Sequence, residues 1–520
     1  MKKIITLLAL SVTVGTNAQN FSTFGLSGNP GNLAQNPGAD AKTKFHLSYF
    51  GLQNDLYLSE TAGNLFATTD LLKNLSDLNS ASTNINNATS VNALNLGIKL
   101  GKNFVFAGYE QNIDAGMAFD NDLATFAKYG MGDANGNLNL NYTGDFSDLG
   151  IALDITNSKT VGFQRTFMDD KLRIGVAASQ VAYAAGMRFD ANAFSITSTP
   201  TAIAGRNELN VNYDFTLAGS NLLDPNATAT QLSELNKDAV LPLNMLSAGD
   251  IAGLVNYLSG GTQSTNSFAL GTTFQPIKQL TLQFSISGLG AETLTLTSDY
   301  AKSIQGGVAL SGFEYVSQAG DTLASAIKQE VNAFTSDIQN GLSTALNTTT
   351  HSYTYDVPQV TNAALNYNLN KNSYVGVHYA SRTKSNMDYN YLGFTSLLWL
   401  HKNFQLKGGY YMSMDEYNAD LINAVVQFRI TPLMQVYVGS STIGDIATIA
   451  ANSGKDAIMV GAATSRVNLT AGVSMAFFDS RFKKDKNSEK KAKDAKSLSP
   501  ADQKKVDDAY KKSDTVKDNK

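Results

Sequence analysis

From residue 42 to residue 478, hydrophobic and polar positions alternate with period two, as in strands that keep one face in apolar and the other in polar surroundings. Residues 280–287 (LTLQFSIS) alternate without error, and so do 94–100 and 209–215. The same holds for 363–370, for 422–430 with Asn423, Gln427 and Arg429 on the second face, and for 467–477. Across whole strands the apolar face carries no charge. Lys, Arg, Asp, Asn and Gln share the other face with Gly and Ser.

A soluble sandwich also alternates, so strand length and connections decide. The candidate strands are about 9–12 residues long, near what crosses a bilayer at a tilt, whereas soluble strands cluster at about 5–6. Short turns at 101–103, 168–170, 275–278, 370–372, 401–403 and 431–432 alternate with long connections, among them 188–263 and 301–351. Short periplasmic turns and long outer loops are the outer-membrane pattern. Two strands flank each short turn and one more stands at either end. The spacing therefore predicts an all-β fold, a transmembrane antiparallel β-barrel of about 14 strands within a range of roughly 12–16. They fall at 44–58, 91–100, 103–115, 147–167, 171–187, 264–275, 279–299, 361–370, 373–386, 388–400, 403–416, 419–430, 433–443 and 466–478. Residues 207–217 either extend a hairpin above the membrane or raise the count to about 16. Even parity places both termini in the periplasm of a Gram-negative cell. In the last strand Thr470, Gly472, Met475 and Phe477 resemble the assembly signal of such barrels, an edge strand read by β-augmentation onto the barrel assembly machinery.

Composition narrows the classes further. The 520 residues include no Cys, which excludes a disulfide framework and a Cys-ligated zinc. Beyond the first 20 residues no run approaches the ~18 apolar residues of a spanning helix. Lys2 and Lys3, the apolar run 4–14 and the small residues up to Ala18 predict a secretory signal over 1–18. An N-terminal periplasmic plug segment follows at 19–43, then the barrel at 44–478 and a Lys-rich periplasmic tail at 479–520. Residues 481–520 hold 14 Lys and Arg against 8 Asp and Glu. That composition buries too little apolar area to offset chain entropy, so the tail is expected to be largely disordered, with a short helix over 500–512. It is either a solvated extension or the contact for a periplasmic partner.

Catalytic signals are thin. His46, His351, His378 and His401 lack metal-ligand spacing, and no nucleophile elbow, phosphate loop or dinucleotide fingerprint is present. The expectation is a protein that is not an enzyme, with no cofactor, metal or nucleic-acid partner. By strand parity, Lys99, Glu110, Arg173, His378, Arg382, Lys407 and Arg429 face the lumen and are the candidate ligand contacts. Leu323, Ile327, Val331, Phe334, Ile338 and Leu342 recur at helical spacing, an amphipathic helix that would cover the barrel mouth. Residues 224–260 show a less regular apolar pattern of the same kind.

Residues 19–41 interrupt the alternation with two Asn-Pro-Gly turns, Asn29-Pro30-Gly31 and Asn36-Pro37-Gly38. Leu33 to Gly38 resembles the Asn-Pro-Ala segment near the N-terminus of the FadL fatty-acid transporter family and its Bacteroidota relatives, including the PorV-like proteins of type IX secretion. Gly38 stands where that motif has Ala. Residues 1–482 look like an uncharacterised Bacteroidota outer-membrane barrel family of FadL-like build. The resemblance implies a hatch plug and a hydrophobic cargo. The reading is therefore an outer-membrane barrel that binds or transports a small hydrophobic molecule among outer-membrane lipid. The alternative is a non-transporting scaffold or secretion component that recruits partners through loops and basic tail.

Overall fold

The computed structural model describes Phe24 and residues 32–40, 43–58, 82–129, 141–200, 207–220, 263–297, 300–311, 352–370, 372–383, 388–401, 403–414, 420–431, 433–440 and 466–477, with scattered positions at 139 and between 244 and 261. The signal, Asn29, Pro30, the helix expected over 323–342 and the tail from 479 lie outside the described residues.

The strands are β1 (Phe45–Leu58), β2 (Ser82–Leu100), β3 (Asn103–Asp120), β4 (Thr143–Asp145), β5 (Gly150–Phe167), β6 (Leu172–Pro200), β7 (Asn207–Ser220), β8 (Gln263–Ile277), β9 (Leu280–Leu289) and β10 (Leu294–Thr297). They continue with β11 (Tyr300–Ser311), β12 (Ser352–Tyr355), β13 (Gln359–Asn368), β14 (Tyr374–Thr383), β15 (Tyr389–His401), β16 (Phe404–Ser413), β17 (Leu421–Arg429), β18 (Met434–Ser440) and β19 (Arg466–Phe477). Among the described residues two helices stand with them, α1 (Asn32–Gln35) and α2 (Asn121–Tyr129).

Fourteen of these strands close a ring in which every neighbour is antiparallel: β1, β2, β3, β5, β6, β8, β9, then β13 to β19 in order and back to β1. Leu52 opposite Ala471 and Gln53 opposite Thr470 form the seam. A closed ring leaves no row of unpaired backbone groups, which hydrocarbon could not satisfy. Twelve strands of the ring flank the six short turns and β1 and β19 stand at the ends, as the sequence spacing predicts.

The ring is apolar outside and polar inside. Every one of its strands carries an exposed large apolar side chain, among them Phe50, Ile98, Val161, Ile174, Phe284, Phe394, Ile422 and Val438. The opposite face buries Gln53, Asn95, Gln164, Ser285, Asn366, Gln427 and Thr470. Soluble proteins expose such apolar groups only in small patches, and a belt around the whole circumference is stable against lipid. This is the architecture of outer-membrane proteins.

Three departures from the sequence reading have local causes. The strand expected at 279–299 breaks where Gly288 and Gly290 take φ of 81° and 69°, and β10 beyond the break pairs with β12 as a separate ribbon. The connection expected from 301 begins instead as β11. Residues 207–217 are part of β7, which pairs with the upper half of β6 from Gly186 onward and with β11, outside the ring. β6 is 29 residues long; its lower part, 172–183, belongs to the wall beside β8. A bulge at Ala184 divides the two halves. Alternation shifts phase at the bulge and resumes in the extension, so period alone does not reveal where the strand leaves the membrane.

Candidate functional site in the barrel interior

The N-terminal segment lies against the inner faces of β5, β6 and β8. Leu33 of α1 packs with Phe104, Phe106, Ala177 and Ala269. The Asn36 side chain accepts from the Gly38 amide at 3.1 Å and its carbonyl accepts from the Ala39 amide at 3.0 Å, the local turn that Asn before Pro favours. From the wall, Gln164 donates to the carbonyls of Pro37 (2.9 Å) and Ala39 (2.7 Å). Arg173 pairs with Asp40 at 3.1 Å. Backbone meets backbone here: a Cβ on Gly38 would lie 2.4 Å from the Gly271 carbonyl carbon. The glycine that stands in place of alanine in the Asn-Pro motif is therefore required by this contact.

The facing wall carries the other buried candidates. His378, Arg382 and Lys407 are each 1% exposed. The His378 ring lies within hydrogen-bond distance of the Tyr411 hydroxyl (Nδ1, 3.0 Å) and of Asn362 Oδ1 (Nε2, 3.1 Å). Phe24 of the N-terminal segment stacks on it at 4.4 Å and 9°. Toward the loops the same face becomes aromatic, with Tyr389, Tyr391, Tyr411 and Leu421 buried together around Ala380. Lys407 stands opposite Val425, with Asn423 and Gln427 as the inner-face neighbours of Val425.

The remaining candidates are spread out. Glu110 accepts a hydrogen bond from Ser90 on the inner face of β3. Lys99 shares the inner parity but is exposed beside the turn, where its amide bonds Lys44. Arg429 also sits at the turn end and donates to the Thr431 carbonyl at 3.0 Å. Both mark the rim rather than the interior. In the last strand Gly472 lies under the Tyr437 ring, and Phe477 meets Phe45 at 5.4 Å across the seam.

Sequence reasoning missed a buried bidentate ion pair. Arg188 donates to both carboxylate oxygens of Asp154 at 2.9 and 2.7 Å, and Tyr183 donates to the same carboxylate at 2.7 Å. The guanidinium also lies over the Tyr353 ring at 5.2 Å. Through Tyr183 this group anchors the β10–β12 ribbon, whose Leu294, Leu296, Tyr353 and Tyr355 pack against it. The pairing joins strands 34 positions apart, and only the register Asp154 opposite Gly186 brings them together. Beyond the wall, Asp120 caps α2 by accepting from the Asp122 amide at 2.8 Å. Burial, with help from Asp122 and Asp148, lifts its carboxyl to about 6.

Comparison with solved structures returns outer-membrane barrels. The toluene transporter TbuX of Ralstonia pickettii is 10% identical over 86% of this chain and 94% of its own, with a TM-score of 0.42. The toluene transporter TodX of P. putida is 10% identical over 87% and 93%, at 0.37. A FadL homologue from Pseudomonas aeruginosa is 8% identical over 87% and 94%, at 0.39. No curated protein matches the sequence. A family model does match, over residues 37–441, from the inner Asn-Pro-Gly turn to the end of β18. The chain belongs to that family, described as a family of unknown function (DUF5723).

Proposed function

We propose that this protein is an outer-membrane barrel that binds or passes a small hydrophobic molecule, with residues 19–43 acting as an internal plug. The carrying observation is the inner-face cluster of Tyr389, Tyr391, Tyr411 and Leu421. A pore for water-borne solutes has no use for an apolar cluster on its lumen face, whereas ligand sites combine such surface with a few fixed polar groups. The contacts of Gln164, Arg173 and Gly271 with residues 36–40 support the plug. Even strand parity puts both termini on the periplasmic side in this reading, and residues 1–18 are its export signal.

Native mass spectrometry of the detergent-extracted protein tests the ligand class. A co-purified apolar small molecule, lost on Tyr391→Ala with Tyr411→Ala, is the expected result; an empty barrel that takes up no added hydrocarbon contradicts it. The extension of β6, β7 and β11 beyond the ring favours a second role as a platform for partners outside the cell. A stoichiometric protein partner that disappears when 201–206 is cut would support that role.

A further inference from the structure

We infer that the inner wall of β16 and β17 holds a second site, specific for a small organic anion rich in hydroxyl or amide groups, centred on Lys407. Two observations meet there. The first is a set of buried amides with nothing to bond. Asn423 and Gln427 have neither side-chain nitrogen nor oxygen in a hydrogen bond, and Gln405 Oε1 and Asn366 Oδ1 are also unpartnered. They are 1%, 3%, 4% and 3% exposed. Buried polar groups in folded proteins find partners, so a cluster of whole amides without them marks a place where something else supplies donors and acceptors.

Their register converges on one point. Lys407 stands opposite Val425, and Gln405 opposite Gln427. Asn423 and Gln427 are thus the diagonal neighbours of Lys407, about 7–8 Å away between backbones, within reach of one small molecule. Asn423 is itself paired with Gly409, whose missing side chain leaves room for the Tyr411 ring and the Thr395 methyl group.

The second observation is the sign of the charge. Among the described residues of β13 to β19, the inner face carries His378, Arg382, Lys407 and Arg429 and no carboxylate. Its acids are elsewhere: Glu110 and Asp114 lie on β3. Seven steps around the ring in either direction lead from β3 to β15, which stands between β14 and β16. The strands around Lys407 thus contribute bases and no inner-face carboxylate of their own, whereas across the lumen Arg173 meets Asp40 and Arg188 meets Asp154, a difference that draws an anion to the Lys407 side. An alkyl chain would leave the amides unpartnered, whereas a hydroxylated carboxylate satisfies both their donors and acceptors.

Isothermal titration of the full-length protein in detergent with sodium gluconate, glucose and decanoate below its micellar concentration tests the site. Gluconate is expected to bind about tenfold or more tightly than either of the others. Lys407→Met and Asn423→Leu should each weaken gluconate by about tenfold, while heat-modifiable mobility shows that both variants fold. Absence of gluconate binding, or binding indifferent to Lys407→Met, would overturn the inference and leave the amides to water. Decanoate binding more tightly than gluconate would also overturn it, yet would favour the hydrophobic reading of the barrel.

Discussion

The wall formed by β5, β6 and β8 and the wall formed by β13 to β17 face the same interior and solve its polarity in different ways. On the first, glycines bring backbone against backbone, and Gln164 and Arg173 find their partners in residues 36–40. On the second, full-sized side chains line the space, with tyrosines near the loops and amides around Lys407, several of them unpartnered. The first wall holds residues 36–40 of its own chain; among the described residues, the second meets the N-terminal segment through Phe24 on His378 and is the wall proposed to take a ligand.

The largest effect expected is on the glycine contact. Gly38→Val has no room beside Gly271, so the segment must leave the wall. Single-channel conductance in planar bilayers should rise on the order of tenfold, to the level of a chain lacking 19–40, because an unplugged 14-strand lumen approaches an aqueous pore. Unchanged conductance in both would remove the plug and with it the contrast between the walls.

Next in size is the ion pair. Asp154→Asn leaves Arg188 buried without its counter-charge and should cost about 3 kcal/mol in urea unfolding from lipid vesicles. Adding Arg188→Met should recover part of that loss, as the orphaned charge goes with it.

A paired substitution sharpens the comparison itself. Gln164→Leu removes two hydrogen bonds to the N-terminal segment and should cost about 2 kcal/mol. Gln427→Leu removes an amide that bonds nothing and should change stability by less than about 1 kcal/mol in the absence of ligand. Equal costs would mean that the two walls do not differ in the way described.

The smallest effect lies outside the membrane. The folded-state value of Asp120, about 6, exceeds its ordinary 3.8, so between those values the folded protein holds a proton that the unfolded chain does not. Stability from this group is complete below pH 3.8 and is lost as pH rises through about 6. Hydrogen-exchange protection of α2 should fall over that window. Asp120→Asn keeps an N-cap side chain and should flatten the dependence.

Period-two alternation made the ring legible because two solvents of opposite polarity act on every strand. The short turns then supplied the count. It said nothing of the extension of β6, since Arg188 and Phe189 alternate above the membrane much as Arg173 and Ile174 do within it. Parity places Lys99 and Arg429 on the inner face, whereas height along the strand, set by the turns, leaves them at the rim. The interior partners were hidden for another reason: Gly38 meets Gly271, Phe24 meets His378 and Arg188 meets Asp154 only once the ring has closed, and no spacing in the chain encodes such meetings. The Asn-Pro-Gly turn was visible, whereas the need for its glycine was not.

Spin labels placed singly from 422 to 428 on a chain that has no native cysteine would test the inside-out barrel most directly. Reconstituted in bilayers, labels at Ile422, Ala424, Val426 and Phe428 should be reached by oxygen dissolved in lipid, and those at Asn423, Val425 and Gln427 should not, with the phase that β17 shows. Accessibility that fails to alternate, or alternates in the opposite phase, would contradict a ring with hydrocarbon on its outer face.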